Sequence, residues 1–146
     1  LCASRSLAAW GRPGAVGFNL LPGSRLVELT RDEHTTDEAA AATESLFRDV
    51  NERIAESVQR FDGDGDAQFV CECSDSSCTE HVPAPIQHYE RVRKDPTHFL
   101  LAPGHEDERI ERVIERRRRY EVVEKFHRAV AARVRRLDPR ARSRGG

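Results

Sequence analysis

The longest regular spacing of apolar side chains lies between residues 37 and 61. Five apolar residues recur there at intervals of three or four positions: Phe47, Val50, Ile54, Val58 and Phe61. This spacing places them on one face of a helix, and it predicts an amphipathic α-helix over residues 37–60. The charged side chains of the segment fall on the opposite face, which we expect to be exposed to water: Glu44, Arg48, Glu52, Arg53 and Glu56.

A different period follows over residues 67–73, where apolar and polar positions alternate. Alternation is typical of a β-strand, and it directs Phe69, Cys71 and Cys73 to one face and Glu72 to the other. We expect the following loop, residues 74–80, to return the chain past the strand.

The middle of the chain combines prolines with two short apolar patterns. Pro83 and Pro85 predict the start of a helix over residues 86–94, because proline suits the first turn of a helix. The apolar run at 97–102 predicts another strand.

Three further apolar patterns lie in the last third of the chain. The runs 110–115 and 120–125 could pair as a β-hairpin, although the first run also suits a helical turn, and the pattern does not decide between them. A final stripe at intervals of three or four residues predicts a helix that ends before Pro139, and it consists of Phe126, Val130, Val134 and Leu137.

Together these elements predict a small single domain of the α+β class over residues 37–138. It would comprise an N-terminal amphipathic helix, a small antiparallel or mixed sheet, short helices and one structural metal site. We expect residues 1–36 to form a disordered leader, or alternatively to be upstream sequence translated in error, because they are rich in Gly, Pro, Ser and Arg without a sustained period. Residues 139–146 are expected to form a disordered basic tail.

Composition indicates that the core of this domain is small. Hydrophobic residues make up 38% of the 146 residues and charged residues 34%. A chain of this size has room for one domain, and a bound metal could stabilise a fold whose apolar core is limited. The net charge of -1 conceals an uneven distribution, since residues 61–108 hold eleven acidic and three basic side chains and residues 109–146 hold five and fourteen.

The most specific chemical signal is a cluster of three cysteines within eight residues, Cys71, Cys73 and Cys78. Alternation along a strand would place the first two thiols on the same face, and the loop would bring the third back to them. Clustered thiolates favour zinc, which binds four ligands in a tetrahedron. The sequence therefore predicts a Zn²⁺ site that needs one more nitrogen or sulfur ligand.

Histidine is the expected fourth ligand, and several histidines compete for that position. His105 follows Pro103 and Gly104 at a predicted strand end, where a tight turn could direct its ring into the site. His81 lies three residues after Cys78 and is the alternative fourth ligand. His98, on the predicted strand, is a weaker candidate.

The same residues resemble a group of short, uncharacterised actinobacterial proteins. The resemblance spans roughly residues 44–125 and rests on the segments 51–54, 69–73, 89–96, 103–106 and 122–125, together with Cys78 and Phe99. In that group the cysteine triplet and the Gly-His pair look like a shared metal motif, which implies His105 as the ligand. The resemblance implies a site but no activity.

No sequence pattern of a known enzyme class accompanies the cysteines, so we expect a protein without catalytic activity. A small zinc-binding module with a binding or regulatory role, and a protein as its partner, is the favoured hypothesis. The alternative is a thiol-based redox sensor that releases zinc on oxidation.

A third and weaker hypothesis is nucleic-acid binding through the arginine-rich C-terminal part. Arg116, Arg117, Arg118 and Arg119 form an unbroken basic run that could contact anions such as phosphates, although a solvated turn is the simpler interpretation. We expect a cytoplasmic protein with no membrane association, since no apolar stretch is long enough to cross a bilayer.

Overall fold

The computed structural model describes residues 24–61 and 65–143 of the chain. The elements follow in the order α1 (Ser24–Phe61), β1 (Asp66–Val70), β2 (His81–Pro85), α2 (Ile86–Val92), β3 (His98–Leu101), β4 (Glu111–Arg116), β5 (Glu121–Lys125), α3 (Arg128–Leu137) and α4 (Pro139–Ser143). In this part of the chain, the strands form an antiparallel pair β1–β2 and an antiparallel sheet in the order β3–β5–β4. The predicted α+β class is confirmed.

The strand β2 was not predicted, because its two prolines suggested the start of a helix. It pairs with β1 in the register Phe69 to Val82 and Gln68 to Pro83. The prolines occupy alternate positions, so both place their missing N–H on the side of the strand that faces away from β1. Proline is compatible with a strand at such positions, and the helix α2 begins directly afterwards.

The sequence pattern of residues 110–115 suited both a hairpin strand and a helical turn. The three-stranded sheet shows that the hairpin forms. β4 and β5 form a hairpin in which Arg112 is opposite Glu124, with an irregularity between Val113 and Glu115. β3 pairs with the other edge of β5, placing Phe99 opposite Val123. These two residues are fully buried, so the hairpin and β3 share one apolar face.

The first helix differs from its prediction in both its length and its buried face. It begins at Ser24, thirteen residues before the predicted start, so the expected leader boundary at residue 36 falls inside a helix; residues 1–23 lie outside the described residues. The predicted inward stripe is partly solvent-exposed, with Val50 39% and Phe61 88% exposed. The buried face is instead largely polar or small, and consists of Ala40, Ala41, Glu44, Ser45, Arg48, Asn51 and Ala55.

The charged residues on this face are buried because each meets a partner inside the domain. Lys125 Nζ donates to Glu44 Oε1 at 2.6 Å and also to Glu111. The guanidinium of Arg48 lies 3.5 Å from the centre of the Phe99 ring. Arg48 also donates to the carbonyl oxygens of residues 96 (2.8 Å) and 98. The expectation that Glu44 and Arg48 face water was therefore wrong.

The C-terminal segment is ordered further than predicted. The disordered tail expected from residue 139 is corrected for Pro139–Ser143, which forms α4. Arg140 donates to Glu52 at 2.8 Å and to Glu90 at 2.7 and 3.0 Å, and these ion pairs attach α4 to α1 and α2. Residues 144–146 lie outside the described residues. None of the described helices combines the length and the apolar character needed to span a membrane.

Candidate metal centre

The three cysteines occupy the loop that joins β1 to β2. The predicted strand over 67–73 ends at Val70, so Cys71 and Cys73 follow it directly; their residues are 1% and 2% exposed. Asp75 shapes the return, because its carboxylate accepts the backbone N–H of Ser77 at 2.8 Å and its carbonyl accepts the N–H of Cys78 at 3.0 Å. The loop closes where Cys71 N–H donates to the carbonyl of residue 80 at 3.0 Å.

The histidine reaches this loop from a turn after β3. Gly104 has a φ of +79°, a left-handed conformation that other residues adopt only at a cost. The N–H of His105 then donates to the carbonyl of Ala102 at 3.2 Å. The turn that the sequence suggested at Pro103 and Gly104 therefore directs the His105 ring back toward the cysteines.

The side chains of Cys71, Cys73, Cys78 and His105 converge, with one ligand atom from each lying within 4.8 Å of the others. His105 Nδ1 is 3.6 Å from the Sγ of both Cys71 and Cys78. Zinc bonds of about 2.3 Å to sulfur and about 2.05 Å to nitrogen, at a tetrahedral angle, give a sulfur–nitrogen separation of about 3.6 Å. One ring nitrogen and a single proton cannot satisfy two thiols equally, whereas a central cation accounts for both separations.

Backbone N–H groups face each of the three sulfurs. Ala102 N–H donates to Cys71 Sγ at 3.2 Å, and the N–H groups of residues 75 and 80 donate to Cys73 and Cys78. Such donors favour the thiolate over the thiol. These donors partly offset the burial that disfavours ionisation of the thiols, and the thiolate is the form that a metal binds.

Because the thiols lie close together, their pKa values differ from one another. A hydrogen bond from Cys71 is the main cause that lowers the pKa of Cys73 to about 5. The same contact, followed by burial, raises the pKa of Cys71, and burial raises that of Cys78. Three thiols packed this closely are not readily ionised together without a cation, so the cluster suits a positively charged occupant.

Glu72, between two of the cysteines, anchors the loop to the rest of the domain. Its buried carboxylate accepts bonds from the backbone N–H of Leu100 at 3.0 Å, from Asn51 Nδ2 at 3.0 Å and from Tyr89 Oη at 3.2 Å. Arg48 lies 3.5 Å away. The alternation of residues 71–73 indicated that Glu72 faces away from the thiols, but it gave no sign that this face is buried.

The other predicted site residues lie elsewhere. His81 is exposed at the start of β2 and is not among the clustered ligands. His98 is partly exposed beside Asp95, 3.9 Å from its carboxylate. The structure therefore brings His105, and not its alternatives, to the three thiols.

The arginine run forms the tip of the β4–β5 hairpin, and most of its charges are already paired. Arg116 donates to Glu121 at 2.5 Å, Arg117 to Glu115 at 2.5 Å, and Arg119 lies 3.7 Å from Asp66. Arg118 is exposed. These pairs favour the interpretation of the run as a solvated turn.

No protein-family model, curated protein or solved structure matches this chain. The resemblance to the short actinobacterial proteins therefore stays a prediction. The assignment of the site depends on the geometry of its donors.

Proposed function

We propose that the four clustered side chains bind one Zn²⁺ ion as a structural centre, and that the protein acts as a small binding or regulatory module without catalytic activity. The observation that carries this proposal is the contact of one histidine nitrogen with two sulfurs at the separation expected around tetrahedral zinc. Three thiolates and one imidazole are a common donor set for structural zinc.

Two features support a structural role over a catalytic one. Four protein ligands fill the tetrahedron and leave no position for a reacting water. Glu72, which lies between two of the cysteine ligands in sequence, is fully buried and bonded to Asn51, Tyr89 and the backbone of Leu100. It is therefore engaged in holding the fold and is not placed to act as a general base.

The metal content of the purified protein tests the proposal. Protein purified without added metal should contain about one zinc per chain, as expected for one closed site. A well-folded preparation that contains neither zinc nor iron would refute the proposal.

The fourth ligand has its own test, a competition for zinc against a chelator. His105→Ala should weaken zinc binding substantially, because three thiolates and a water would remain. His81→Ala is the matched control, since it removes an exposed ring that is not among the clustered ligands. Equal affinities for the parent and His105→Ala would exclude His105.

The exposure of Cys78 favours redox sensing as a second candidate function. Cys78 is partly exposed, whereas Cys71 and Cys73 are buried, so an oxidant could reach the cluster through one sulfur. Oxidation of two thiolates by hydrogen peroxide, with uptake of two protons, would form one disulfide and two waters and release zinc. Peroxide-driven zinc release, reversed by a dithiol, would support this function, and retention of zinc at peroxide concentrations that oxidise exposed thiols would exclude it.

A further inference from the structure

A cavity lies between α2 and the β4–β5 hairpin, apart from the candidate metal ligands. It has a volume of about 510 Å³ and is lined by Pro85, Gln87, His88, Arg91, Arg117 and Tyr120. Small-molecule sites commonly enclose about 300–1,000 Å³. The cavity therefore has room for a ligand larger than a single inorganic ion.

A chain of hydrogen bonds fixes one wall of this cavity. His88 Nε2 lies 3.2 Å from Glu115 Oε2, and His88 Nδ1 contacts the hydroxyl of Tyr120. In a neutral imidazole whose Nε2–H donates to the carboxylate, Nδ1 accepts the tyrosine proton. His88 and Tyr120 are 5% and 8% exposed, so this polar chain is buried at the edge of the cavity, and it contains none of the candidate metal ligands.

Two guanidinium groups border the same cavity from different elements. Arg91, on α2, is exposed and forms no ion pair within the part of the chain that the structure describes. Arg117, from the hairpin tip, pairs through Nε with Glu115 Oε1 at 2.5 Å. Two arginines against one carboxylate leave a net positive charge at the opening of the cavity.

We propose that this cavity binds a small phosphate monoester, with its phosphate group between Arg91 and Arg117 and its organic part against Pro85, His88 and Tyr120. Guanidinium forks match the oxygens of phosphate, and two forks on separate elements suit a dianion with several oxygens. A small ligand is favoured over a nucleic acid because Arg116 and Arg119, two of the other three arginines on the exposed tip, are already paired with carboxylates.

Titration with phenyl phosphate and with inorganic phosphate, followed by NMR, tests the proposal on the full-length, metal-loaded protein. Both probes should bind saturably and shift the ring signals of His88 but not those of His98. Phenyl phosphate should bind more tightly, because the cavity exceeds the size of a phosphate ion. No saturable shift of His88 with either probe would overturn the proposal.

Substitutions distinguish binding at a defined site from a general attraction of the phosphate to positive charge. Arg91→Gln should weaken phenyl phosphate binding about tenfold or more, the scale of a lost charge-assisted hydrogen bond. Arg128→Gln is the matched control, since Arg128 is also exposed, forms no ion pair with described residues and lies outside the cavity; it should change the affinity less than about twofold. Equal weakening by the two variants would overturn the proposal.

Arg117 gives a sharper test because its guanidinium also pairs with the carboxylate of Glu115. Arg117→Gln should weaken binding more than Arg91→Gln, since it leaves the Glu115 carboxylate without its arginine beside the phosphate. Adding Glu115→Gln to Arg117→Gln should restore part of the loss, and no restoration would contradict the assigned geometry. If a DNA duplex binds through Arg91 and Arg117 more tightly than phenyl phosphate does, the small-ligand assignment is wrong.

Discussion

Two of the polar clusters inside this domain, the candidate metal centre and a buried ionic network around Arg48 and Lys125, are assembled in different ways. Three of the four metal ligands lie within eight residues of one another. In the ionic network, by contrast, Arg48 meets Glu72 across 24 positions and Lys125 meets Glu44 across 81. The candidate metal centre is mainly a local structure completed by one distant histidine, whereas these two pairs of the network join distant segments.

The two clusters also differ in what their stability depends on. As a site for a cation, the candidate metal centre depends on an external ion to neutralise its closely packed thiolates. The network contains its own counter-charges, and removing one partner leaves the other buried and uncompensated. Glu72 belongs to both, since it lies between two ligands and binds groups on α1, α2 and β3. The comparison therefore predicts that the clusters can be disrupted separately. A substitution of Glu72 is the most stringent test, because this residue belongs to both.

The largest effect is expected from loss of a metal ligand. Cys73→Ser should destabilise the domain by about 3 kcal/mol or more, because metal binding is coupled to folding, and this corresponds to a fall in Tm of about 10 °C or more. Calorimetry of the parent, the variant and the chelator-treated parent would measure it. Cys2→Ser, which removes a cysteine outside the candidate centre, should melt like the parent; if Cys73→Ser does so as well, the cysteines are not structural ligands.

The ionic network should respond almost as strongly, but without loss of metal. Glu72→Ala should cost about 3–5 kcal/mol in the free energy of unfolding, because it leaves the guanidinium of Arg48 buried without its carboxylate. Denaturant titration would measure the change, and metal analysis should still find one zinc per folded chain. Loss of zinc from folded Glu72→Ala would show that the two clusters are not separable.

A matched control exists on the surface of α1. Glu56 and Arg60 form an exposed pair with 3.7 Å between the charged atoms. Glu56→Ala should change stability by no more than about 0.5 kcal/mol, because exposed pairs of this kind contribute little. A comparable loss of stability in Glu56→Ala and Glu72→Ala would mean that burial of the ion pair does not explain the effect of Glu72→Ala.

A further predicted effect is a pH dependence confined to the network. Burial, partly offset by Lys125, raises the pKa of Glu44 to about 7 from its ordinary value of 4.5. Between these values the folded protein holds a proton that the unfolded chain has released, so stability from this group falls as pH rises from about 4.5 to about 7 and is constant above it. The slope is at most about 1.4 kcal/mol per pH unit.

Glu44→Gln isolates this contribution, because its amide cannot titrate. The difference in free energy of unfolding between parent and Glu44→Gln, measured in denaturant at several pH values, cancels the pH dependence of zinc binding that both proteins share. The parent should lose its relative stability as the pH approaches 7. A difference that stays constant across this range would show that Glu44 is ionised beside Lys125 at every pH tested.

The same contrast explains how much of each cluster could be predicted from the sequence. The cysteine triplet, the strand leading to it and the Gly104–His105 turn were predicted because each of them is indicated by a few neighbouring residues. The buried face of α1 was predicted wrongly, since Arg48 and Glu44 are charged and no local pattern reveals partners that lie 24 to 81 positions away. The apolar residues of α1 do recur with a helical period, but they form a half-exposed stripe. The polar face beside this stripe is the one that packs inward.

Proline explains the other main error. Pro83 and Pro85 suit both the first turn of a helix and alternate positions of an edge strand, so the sequence between Cys78 and Ile86 fitted two structures equally well. Pairing with β1 decides between them, and that pairing depends on the cysteine loop returning the chain. The helix α4 was missed because its attachment depends on ion pairs between Arg140 and the distant Glu52 and Glu90.

The central claim, one zinc ion held by Cys71, Cys73, Cys78 and His105, is tested most directly by X-ray absorption at the zinc edge of the purified protein. The geometry predicts a coordination shell of three sulfurs at about 2.3 Å and one nitrogen at about 2.0–2.1 Å. In His105→Ala the nitrogen should be replaced by a solvent oxygen or the zinc lost, while the spectrum of His81→Ala should match that of the parent. A shell without sulfur, or a His105→Ala spectrum identical to the parent spectrum, would contradict the claim.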